Sequence, residues 1–443
     1  MSSSRFQGLL DKALQAANQT KHLAIGRDNA GDAARIFREC FPGKQALVVA
    51  DNNTFPACGK AVYEALTAAG IDVLPPFIYQ DPALYAEYKF VDEVEAALAQ
   101  TEAIAIAVGS GSINDLVKLA SHHLNRRYMS VATAASMDGY TAYGASITYK
   151  GSKQTFDCPA PLAVVADLDV IARAPEGMNA SGYADLLAKL PAGADWIVAD
   201  ALGVERIDPA SWEMVQQNLR DWLSDPAGVA RGDAEPLESL VAGLMMGGFA
   251  MQHLQSSRPA SGAEHQFSHL WDMESHKHNG KSPSHGFKVG IGTVSSARLY
   301  EFLYTQDFDT LDVAVSAAAW PEWDAIAREI ESIHTVQEIR EKSLEEARAK
   351  YADRDTIAAQ LAQLKAVWPE LREKLKAHLP ASSELASQLA AAGAPNASEQ
   401  IGIPADRLRD SYRKALHLRR RFTVLDLAHR AGVFARATDA LFT

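Results

Sequence analysis

The sequence predicts an α/β N-terminal domain with a mainly parallel sheet, followed by an all-α C-terminal domain. Two observations support this fold class. Up to about residue 174, short apolar runs alternate with segments of helical periodicity, which is typical of βαβ units. From about residue 175 onward, nearly every segment has helical periodicity and the strand signal almost disappears. We therefore predict one domain over residues 1–174 and a second over residues 175–443, with a C-terminal helical extension over about 370–443.

Strands and helices alternate in the N-terminal domain. The predicted strands are QALVVAD, DVLPPFIY, AIAIAVG and YMSVATA, and the predicted helices are CGKAVYEALTAAG, FVDEVEAALAQ and SINDLVKLASHHL. The run AIAIAVG is apolar almost throughout, as expected of a strand covered on both faces. The segment ASITYKGSKQTF alternates around Lys150-Gly151 and predicts a hairpin, and LAVVADLDVI predicts one more strand.

The C-terminal domain is predicted to be helical. Its first helices are SGYADLLAKL, SWEMVQQNLRDWL, ESLVAGLMMGGFAMQHL and VGIGTVSSARLYEFL. The apolar run over residues 240–251 is shorter than the roughly 20 residues that span a bilayer, so it predicts a buried core helix. Residues 322–379 are charged and helix-prone, with breaks expected at Pro369 and Pro380. Residues 382–398 predict a connection rich in small residues, and residues 404–421 predict a last basic helix.

Composition narrows the class of protein. The 443 residues carry a formal charge of −12, which argues against a general nucleic-acid binder because such proteins need basic surface. A hydrophobic fraction of 47% and a charged fraction of 22% are those of a globular chain and argue against disorder and against a membrane bundle. The start of the chain has no signal-peptide pattern, and three scattered cysteines do not form a disulfide framework. We therefore expect a cytoplasmic protein without membrane insertion.

A glycine-rich turn joins a predicted buried strand to a helix. Gly109, Ser110, Gly111 and Ser112 occupy it, and the following helix N-terminus offers N–H donors that suit a phosphate group. The sequence lacks the full GxGxxG pattern, because Asn114 stands in place of the third glycine. A tight turn that requires small residues is the alternative.

Two aspartates follow predicted strands of the same domain. Asp51 closes the strand of QALVVAD, where it could accept a ribose hydroxyl or cap the next helix. Asp138, in TAASMDGY, follows another strand at the edge where open α/β sheets bind ligands. Because Asp138-Gly139 is also a good turn pair, a plain turn remains an alternative.

Histidines cluster over residues 252–286. His265 and His269 are four residues apart, so on a helix they share one face. Neutral imidazoles together with a carboxylate suit zinc, nickel or iron(II), and a site with open positions is catalytic. His276 and His278 lie in a polar loop and are expected to have no catalytic role.

Five motifs, in this order, resemble one superfamily. GSGSINDLVK, TAASMDGY, SGYADLLAK, SGAEHQFSH and SHG are similar to the iron-dependent alcohol dehydrogenases, glycerol dehydrogenases and dehydroquinate synthases. Within that superfamily they most resemble the sn-glycerol-1-phosphate dehydrogenases, over residues 24–297. The tail, with RRRFTVLDLAHRAG, resembles the longer bacterial members found beside arabinose-utilisation genes. The resemblance implies a dehydroquinate synthase-like fold.

The resemblance also implies site residues. The metal ligands would be Asp185, His265 and His285, and Asp138, Asp185 and His269 would bind substrate. The phosphates of the cofactor NAD or NADP would be bound by the turn over residues 109–112 with Asp115, and Thr133 and Ser136 would lie beside its nicotinamide half. Ala142 replaces a family serine, and Gly-Ser-Gly replaces the family's Gly-Gly-Gly.

The implied reaction is a metal-dependent, reversible, NAD(P)-linked reduction of dihydroxyacetone phosphate to sn-glycerol 1-phosphate. Alternatives are a dehydrogenase of glycerol or another polyol, a dehydroquinate synthase-like lyase, and a non-catalytic nucleotide-binding relative. We expect a small phosphorylated substrate, one divalent metal ion (zinc, nickel or iron) and a homodimer or larger homo-oligomer. Lys150, Lys153, Arg258, Lys277 and Lys281 are candidates for binding the substrate phosphate. The stretch RLRDSYRKALHLRRR is expected to be a solvated helix face or an oligomer contact rather than a nucleic-acid surface.

Overall fold

The computed structural model describes residues 5–150 and 152–442. The chain divides into two compact units, one comprising Met1–Leu186 and Glu213–Ser257 and the other comprising Leu187–Trp212 and Arg258–Thr443. The first unit holds a six-stranded parallel sheet and a two-stranded hairpin, and the described residues of the second unit contain no strand. The predicted combination of a parallel α/β region and a helical C-terminal region is confirmed, and the predicted domain boundary near residue 174 stays a prediction.

The strands and helices have the following bounds. The strands are β1 (His22–Gly26), β2 (Ala46–Asp51), β3 (Phe77–Tyr79), β4 (Ile104–Gly109), β5 (Met129–Ala132), β6 (Ala145–Tyr149), β7 (Ser152–Phe156) and β8 (Ala163–Asp167). The helices are α1 (Gln7–Ala16), α2 (Ala30–Cys40), α3 (Lys60–Ala68), α4 (Tyr88–Ala99), α5 (Gly111–His123), α6 (Leu168–Ala172), α7 (Met178–Leu187), α8 (Lys189–Ala201), α9 (Pro209–Gln216), α10 (Leu219–Trp222), α11 (Pro226–Arg231), α12 (Ala234–Leu254), α13 (Ala263–Met273), α14 (His285–Tyr304), α15 (Val313–Ala318), α16 (Trp323–Ile333), α17 (Gln337–Lys350), α18 (Arg354–His378), α19 (Ser382–Ala391), α20 (Ala405–Leu416), α21 (Val424–Arg430) and α22 (Phe434–Leu441).

The large sheet has the strand order β1-β8-β5-β4-β2-β3, with every neighbouring pair parallel. Alternate strand residues face opposite sides, so Val48 packs with α2 and α3 whereas Val49 packs with α4 and α5. This double cover explains why β2 and β4 read as nearly continuous apolar runs. The chain passes from β2 outward to β3 and then returns to the other side of β2 as β4, so the strand order reverses between β2 and β4. Open α/β sheets bind ligands at the carboxyl ends of the strands where such a reversal occurs.

Several strand predictions need adjustment. The predicted strand DVLPPFIY is reduced to the three residues of β3, because Pro75 and Pro76 cannot donate the hydrogen bonds of a sheet ladder. Strand β1 lies outside the predicted strands; all its residues are half-buried, so it has no strongly apolar pattern. The predicted hairpin is present as the antiparallel pair β6–β7. Lys150 has a left-handed backbone (φ 49°) at its turn, and Gly151 lies outside the described residues.

Two helical boundaries of the second unit were predicted wrongly. Pro369 lies inside α18 rather than breaking it. The neighbouring Trp368 is buried against Phe308 and donates a hydrogen bond to the carbonyl of Gln306 (2.8 Å), so packing outweighs the cost of the proline. Residues 382–391, predicted as part of a connection, form helix α19, whose Leu385 and Leu389 are buried.

The last basic helix is shorter than predicted. Helix α20 ends at Leu416, so the three consecutive arginines at positions 419–421 lie beyond its C-terminus. Because these side chains no longer follow helical spacing, they point in different directions. No helix among residues 5–150 and 152–442 has the length and apolar character needed to cross a membrane.

Candidate cofactor-binding and metal-binding residues

The first unit contains a cavity at the carboxyl ends of its central strands. Its volume is about 460 Å³, within the usual range for small-molecule sites. Asp51 follows β2 into it, Ser110 and Ser112 begin α5 after β4, and Thr133 follows β5. Arg173 adds a positive charge to the wall. The sheet topology thus gathers four of the residues predicted to bind a cofactor around one cavity.

The turn between β4 and α5 is held closed by its own side chains. Ser110 Oγ accepts a hydrogen bond from the Gly111 N–H (2.6 Å), which caps α5, and lies 2.7 Å from Ser136 Oγ. A Cβ on Gly109 would come within 2.6 Å of the Ile113 side chain, so this position requires glycine. The helix N-terminus therefore meets the cavity through small side chains, as a phosphate-binding turn must.

Asp51 closes the turn that follows β2 and also lines the cavity; the N-cap of the next helical segment is Thr54. Its Oδ1 accepts hydrogen bonds from the N–H groups of Asn53 (2.8 Å) and Thr54 (2.7 Å), and its own N–H donates to Thr54 Oγ1 (3.0 Å). These two bonds go to Oδ1 and orient the carboxylate, so Oδ2 is the oxygen proposed for a ribose hydroxyl. The turn contacts and the binding of a ribose hydroxyl are therefore compatible at this residue.

Asp115 lies away from the residues that line the cavity. Its Oδ2 accepts a hydrogen bond from the Ser146 N–H (3.0 Å), and Lys118 Nζ lies 3.6 Å from its Oδ1. Burial raises the pKa of Asp115, an effect that the nearby Lys118 charge opposes. Lys118 also donates to the carbonyls of Gly139, Ala142 and Gly144 at 2.9–3.1 Å. In this arrangement the pair anchors the chain segment that follows Asp138.

Helix α7 holds the segment that carries Asp138. A Cβ on Gly182 would come within 1.8 Å of the Ala135 carbonyl oxygen, so only glycine allows the helix this close. One turn later, the buried Asp185 accepts a hydrogen bond from the Asp138 N–H through Oδ2 (3.1 Å). The two aspartates predicted from separate motifs are therefore joined directly.

The second unit brings three of the predicted histidines together. His265 and His269 lie one turn apart on α13, and His285 is the first residue of α14. The ring centroid of His265 is 5.3 Å from that of His285 and 6.3 Å from that of His269, and the His269 and His285 rings are 6.5 Å apart. A Cβ on Gly292 would come within 2.3 Å of the Glu264 carbonyl oxygen, so α14 packs directly on the backbone of α13.

Neighbouring polar side chains orient two of these rings. Nδ1 of His265 lies 2.8 Å from Oε1 of the fully buried Glu264, and Nδ1 of His285 lies 3.4 Å from Ser268 Oγ. Both contacts occupy Nδ1, so Nε2 is the ring nitrogen suited to a metal. A histidine held by a carboxylate through its second nitrogen is the usual arrangement of a metal ligand.

The other histidines of the cluster have structural contacts. His276 is buried, with Nε2 2.7 Å from the Ile401 carbonyl oxygen and Nδ1 2.8 Å from Arg407. Burial lowers its pKa, and the Arg407 charge adds to that effect. Nδ1 of His278 lies where a Cβ on Gly402 would clash. Both residues pack against the chain over residues 401–407.

The arginines at positions 419–421 are the residues that sequence reasoning placed wrongly. Arg420 is exposed and pairs with Glu346, as a solvated face would. Arg419, by contrast, is only partly exposed, and its guanidinium lies 3.3 Å from His269 Nε2. Arg421 donates to the carbonyl and hydroxyl oxygens of Ser261. The sequence around Arg419 gives no signal of its contact with His269, because the two residues are 150 positions apart.

Comparisons with known proteins give matches to one family of dehydrogenases. A sequence profile of the family described as iron-containing alcohol dehydrogenase matches residues 24–175. The glycerol-1-phosphate dehydrogenase of Halalkalibacterium halodurans is 35% identical over 57% of this chain and 64% of that protein. That of Bacillus licheniformis is 31% identical over 63% of this chain and 70% of that protein. That of Geobacillus thermodenitrificans is 29% identical over 86% of each.

The fold has solved counterparts. The crystal structure of glycerol dehydrogenase from Schizosaccharomyces pombe superposes with a TM-score of 0.60 at 18% identity, covering 95% of this chain and 90% of that chain. At this level of identity the match concerns the fold alone.

Proposed function

Because the chain belongs to the glycerol-1-phosphate dehydrogenases of the iron-containing alcohol dehydrogenase family, we propose that it reduces dihydroxyacetone phosphate to sn-glycerol 1-phosphate with NADH or NADPH, reversibly. The observation that carries the proposal beyond family membership is the set of three histidine rings on α13 and α14, with Glu264 fixing His265. A carboxylate that holds the second ring nitrogen is the common arrangement of a metal-ligating histidine.

Asp185, His265 and His285 are the proposed metal ligands. Two imidazole nitrogens and one carboxylate oxygen suit zinc, nickel or iron(II) and leave coordination positions for substrate. The contacts of His265 and His285 through Nδ1 fit this assignment, since they keep Nε2 for the ion. A divalent ion held there supplies Lewis acidity to the carbonyl oxygen of the substrate.

The cavity of the first unit is the proposed cofactor site. Its glycine–serine turn and the N-terminus of α5 would bind the phosphates, and Asp51 would accept a ribose hydroxyl through its carboxylate. Thr133 would contact the nicotinamide half, and Ser136 would support the turn through Ser110. Bound NAD(P)H supplies the hydride. Asp115 would act on this site indirectly, through its hold on the segment after Asp138.

Two residues are proposed to act on the substrate itself. Asp138 would orient a terminal hydroxyl of the substrate through its carboxylate. His269 would give a proton to the oxygen that gains charge during reduction. A guanidinium can only donate, so Nε2 of His269 would accept from Arg419, and the proton given to the substrate would come from Nδ1.

The cellular setting is also a proposal. Cys40, Cys58 and Cys158 are all free thiols, and burial raises the pKa of Cys58 and of Cys158 to about 12. Free, unreactive thiols fit a reducing compartment, so we propose a cytoplasmic enzyme. We propose separately that it acts as a homo-oligomer.

The test follows oxidation of NADH and of NADPH with dihydroxyacetone phosphate and, in parallel, with unphosphorylated dihydroxyacetone. Enzyme stripped with a chelator is reconstituted with zinc, nickel or iron(II). We expect turnover that requires the metal and strongly prefers the phosphate ester. Equal or better turnover of dihydroxyacetone would indicate a polyol dehydrogenase instead, and metal-independent turnover would refute the proposed ligand set.

A further inference from the structure

The guanidinium of Arg419 is a partly buried positive charge beside the histidine rings. It lies 3.3 Å from Nε2 of His269, whose ring is 6.3 Å from that of His265. Among the described residues, no carboxylate lies within ion-pair distance of Arg419. The Glu346 carboxylate acts on Arg419 from beyond that distance. A buried cation without a direct ion pair is costly, and a bound anion would offset that cost.

Two further guanidinium groups, those of Arg258 and Arg421, add to the positive charge around Arg419. Burial, together with the positive charges of Arg258 and Arg419, lowers the pKa of Arg421 to about 9. Burial also lowers the pKa of Arg419. Three guanidinium groups therefore share this region of the second unit, and one of them, Arg258, already has a carboxylate partner, Glu205, at 3.0 Å.

Three cations on or beside α13 and α14 are already paired with carboxylates. Lys288, on α14, bonds to Asp272, and both Arg407 and Lys414 bond to Glu274. Arg420, next to Arg419 in the chain, bonds to Glu346. Arg419 has no carboxylate within ion-pair distance among residues 5–150 and 152–442, and it directly contacts a residue proposed to bind the substrate.

The spacing suits a phosphorylated three-carbon substrate. In dihydroxyacetone phosphate, one methylene and one ester oxygen separate the reacting carbonyl from the phosphorus. A carbonyl oxygen near the His265 and His285 rings would therefore leave its phosphate close to the side chains beside those rings. The His269 ring is 6.3 Å from that of His265, and the guanidinium of Arg419 lies 3.3 Å from Nε2 of His269.

We propose that Arg419, from the C-terminal segment after α20, binds the phosphate group of the substrate and so makes the enzyme selective for a phosphate ester over a free polyol. This inference rests on the proposed function and assigns its phosphate subsite. A planar guanidinium presents two parallel N–H groups to phosphate oxygens, which gives orientation as well as charge. The same contact holds His269 in place when the subsite is empty.

The experiment compares the wild type with Arg419→Ala and with the matched control Arg420→Ala, which removes the adjacent but exposed guanidinium. For Arg419→Ala we expect kcat/KM with dihydroxyacetone phosphate to fall about tenfold to a hundredfold, as for loss of a hydrogen bond to a charged group. Turnover of dihydroxyacetone should fall by a smaller factor, because that substrate has no phosphate to lose and only the hold of Arg419 on His269 is removed. The preference for the phosphate ester should therefore shrink. Arg420→Ala should keep the preference of the wild type.

A binding measurement supplies a readout that does not depend on turnover. Equilibrium dialysis with inorganic phosphate, on metal-loaded enzyme without substrate, should show binding to the wild type and to Arg420→Ala and its loss in Arg419→Ala. Arg419→Lys, which keeps the charge but not the planar fork, should bind phosphate with intermediate affinity. It also provides the decisive comparison if Arg419→Ala does not fold.

The outcomes separate the two hypotheses. If Arg419→Ala keeps both the preference for the phosphate ester and the binding of phosphate, Arg419 is not the subsite and the proposed function stands. If the wild type binds phosphate through Arg419 but does not turn over dihydroxyacetone phosphate, the subsite stands and the proposed substrate is wrong. A wild type that neither binds phosphate nor prefers the ester refutes both.

Discussion

Oε1 of Glu264 lies 2.8 Å from Nδ1 of His265, and the Glu264 side chain is fully buried. Oε1 also accepts a hydrogen bond from the Gly262 N–H, at the start of α13. One carboxylate thus fixes both the beginning of the helix and the ring of the proposed ligand. Sequence reasoning found the histidine and passed over its neighbour, because adjacent residues of a helix do not share a face.

Replacing Glu264 by Gln should weaken metal binding. The amide keeps the size of the side chain but removes the negative charge that favours a ring proton on Nδ1, so we expect a loss of about 10- to 100-fold in metal affinity. Metal content, measured by mass spectrometry after dialysis against graded chelator, checks this. Glu235→Gln, at an exposed position on α12, is the control. Unchanged retention of metal in Glu264→Gln would show that the contact only caps α13.

Replacing Gly292 by Ala should separate α13 from α14. The added methyl would lie 2.3 Å from the Glu264 carbonyl oxygen, so one helix must shift and the distance between His265 and His285 must change. We expect a destabilisation of about 1–3 kcal/mol together with weaker metal binding. Gly31→Ala, where a Cβ meets nothing within 4 Å, is the matched control in urea unfolding and metal titration. A Gly292→Ala protein with wild-type metal affinity would contradict this dependence on close helix packing.

Replacing Lys118 by Met should destabilise the first unit. The change leaves three carbonyl oxygens without their donor and the buried Asp115 without its positive neighbour. We expect a loss of about 3–5 kcal/mol in the free energy of unfolding, as for other buried pairs that lose one partner. Urea denaturation provides the measurement, with Lys60→Met, at an exposed pair with Glu64, as the control. Similar losses in the two variants would show that the Lys118 contacts contribute little.

Replacing His269 by Ala should slow the reaction without removing the metal. His269 lies beside the two proposed ligand rings, and its proposed part is proton transfer to the substrate oxygen. We expect kcat to fall about 10²- to 10⁴-fold, the usual contribution of a positioned acid or base, with metal content unchanged. Steady-state kinetics measures the fall in kcat, and metal analysis of the same preparation checks that the metal content is unchanged. A variant with normal kcat would exclude the proton-transfer role, and a metal-free variant would make His269 a ligand.

Stability should fall as the pH falls from about 6.5 to about 4. Burial lowers the pKa of His334 and of His429 from 6.5 to about 4, so over this range the unfolded chain binds protons that the folded chain does not. Each histidine then contributes a slope of up to about 1.4 kcal/mol per pH unit. Urea unfolding at several pH values should show this slope, and His429→Gln should reduce it, whereas His122→Gln, on an exposed position, should not. An equal slope in His429→Gln would argue against a buried neutral ring.

Much of the fold could be predicted from local patterns. Strands β2, β4, β5 and β8 occupy apolar runs that were predicted as strands, because burial on both faces leaves a continuous signal. Half-buried β1 leaves no such signal, and Pro369 gives a misleading one, because the packing of Trp368 keeps α18 intact. In the same way, the predicted helix over residues 404–421 runs past the real end of α20, which conceals the different surroundings of Arg419 and Arg420.

The sequence by itself determined the alternation of strands and helices, the glycine–serine turn after β4, the pairing of His265 and His269 on one face, and the family to which the motifs belong. The first three features are local, since each depends on residues within a few positions of one another, and the family is indicated by the order of five such local motifs. The tertiary structure alone decided that Asp115 bonds to Ser146, 31 residues away, and that Arg419 meets His269, 150 residues away. Contacts over such separations depend on how the elements pack, and packing selects partners by shape and charge that leave no periodic trace in the chain.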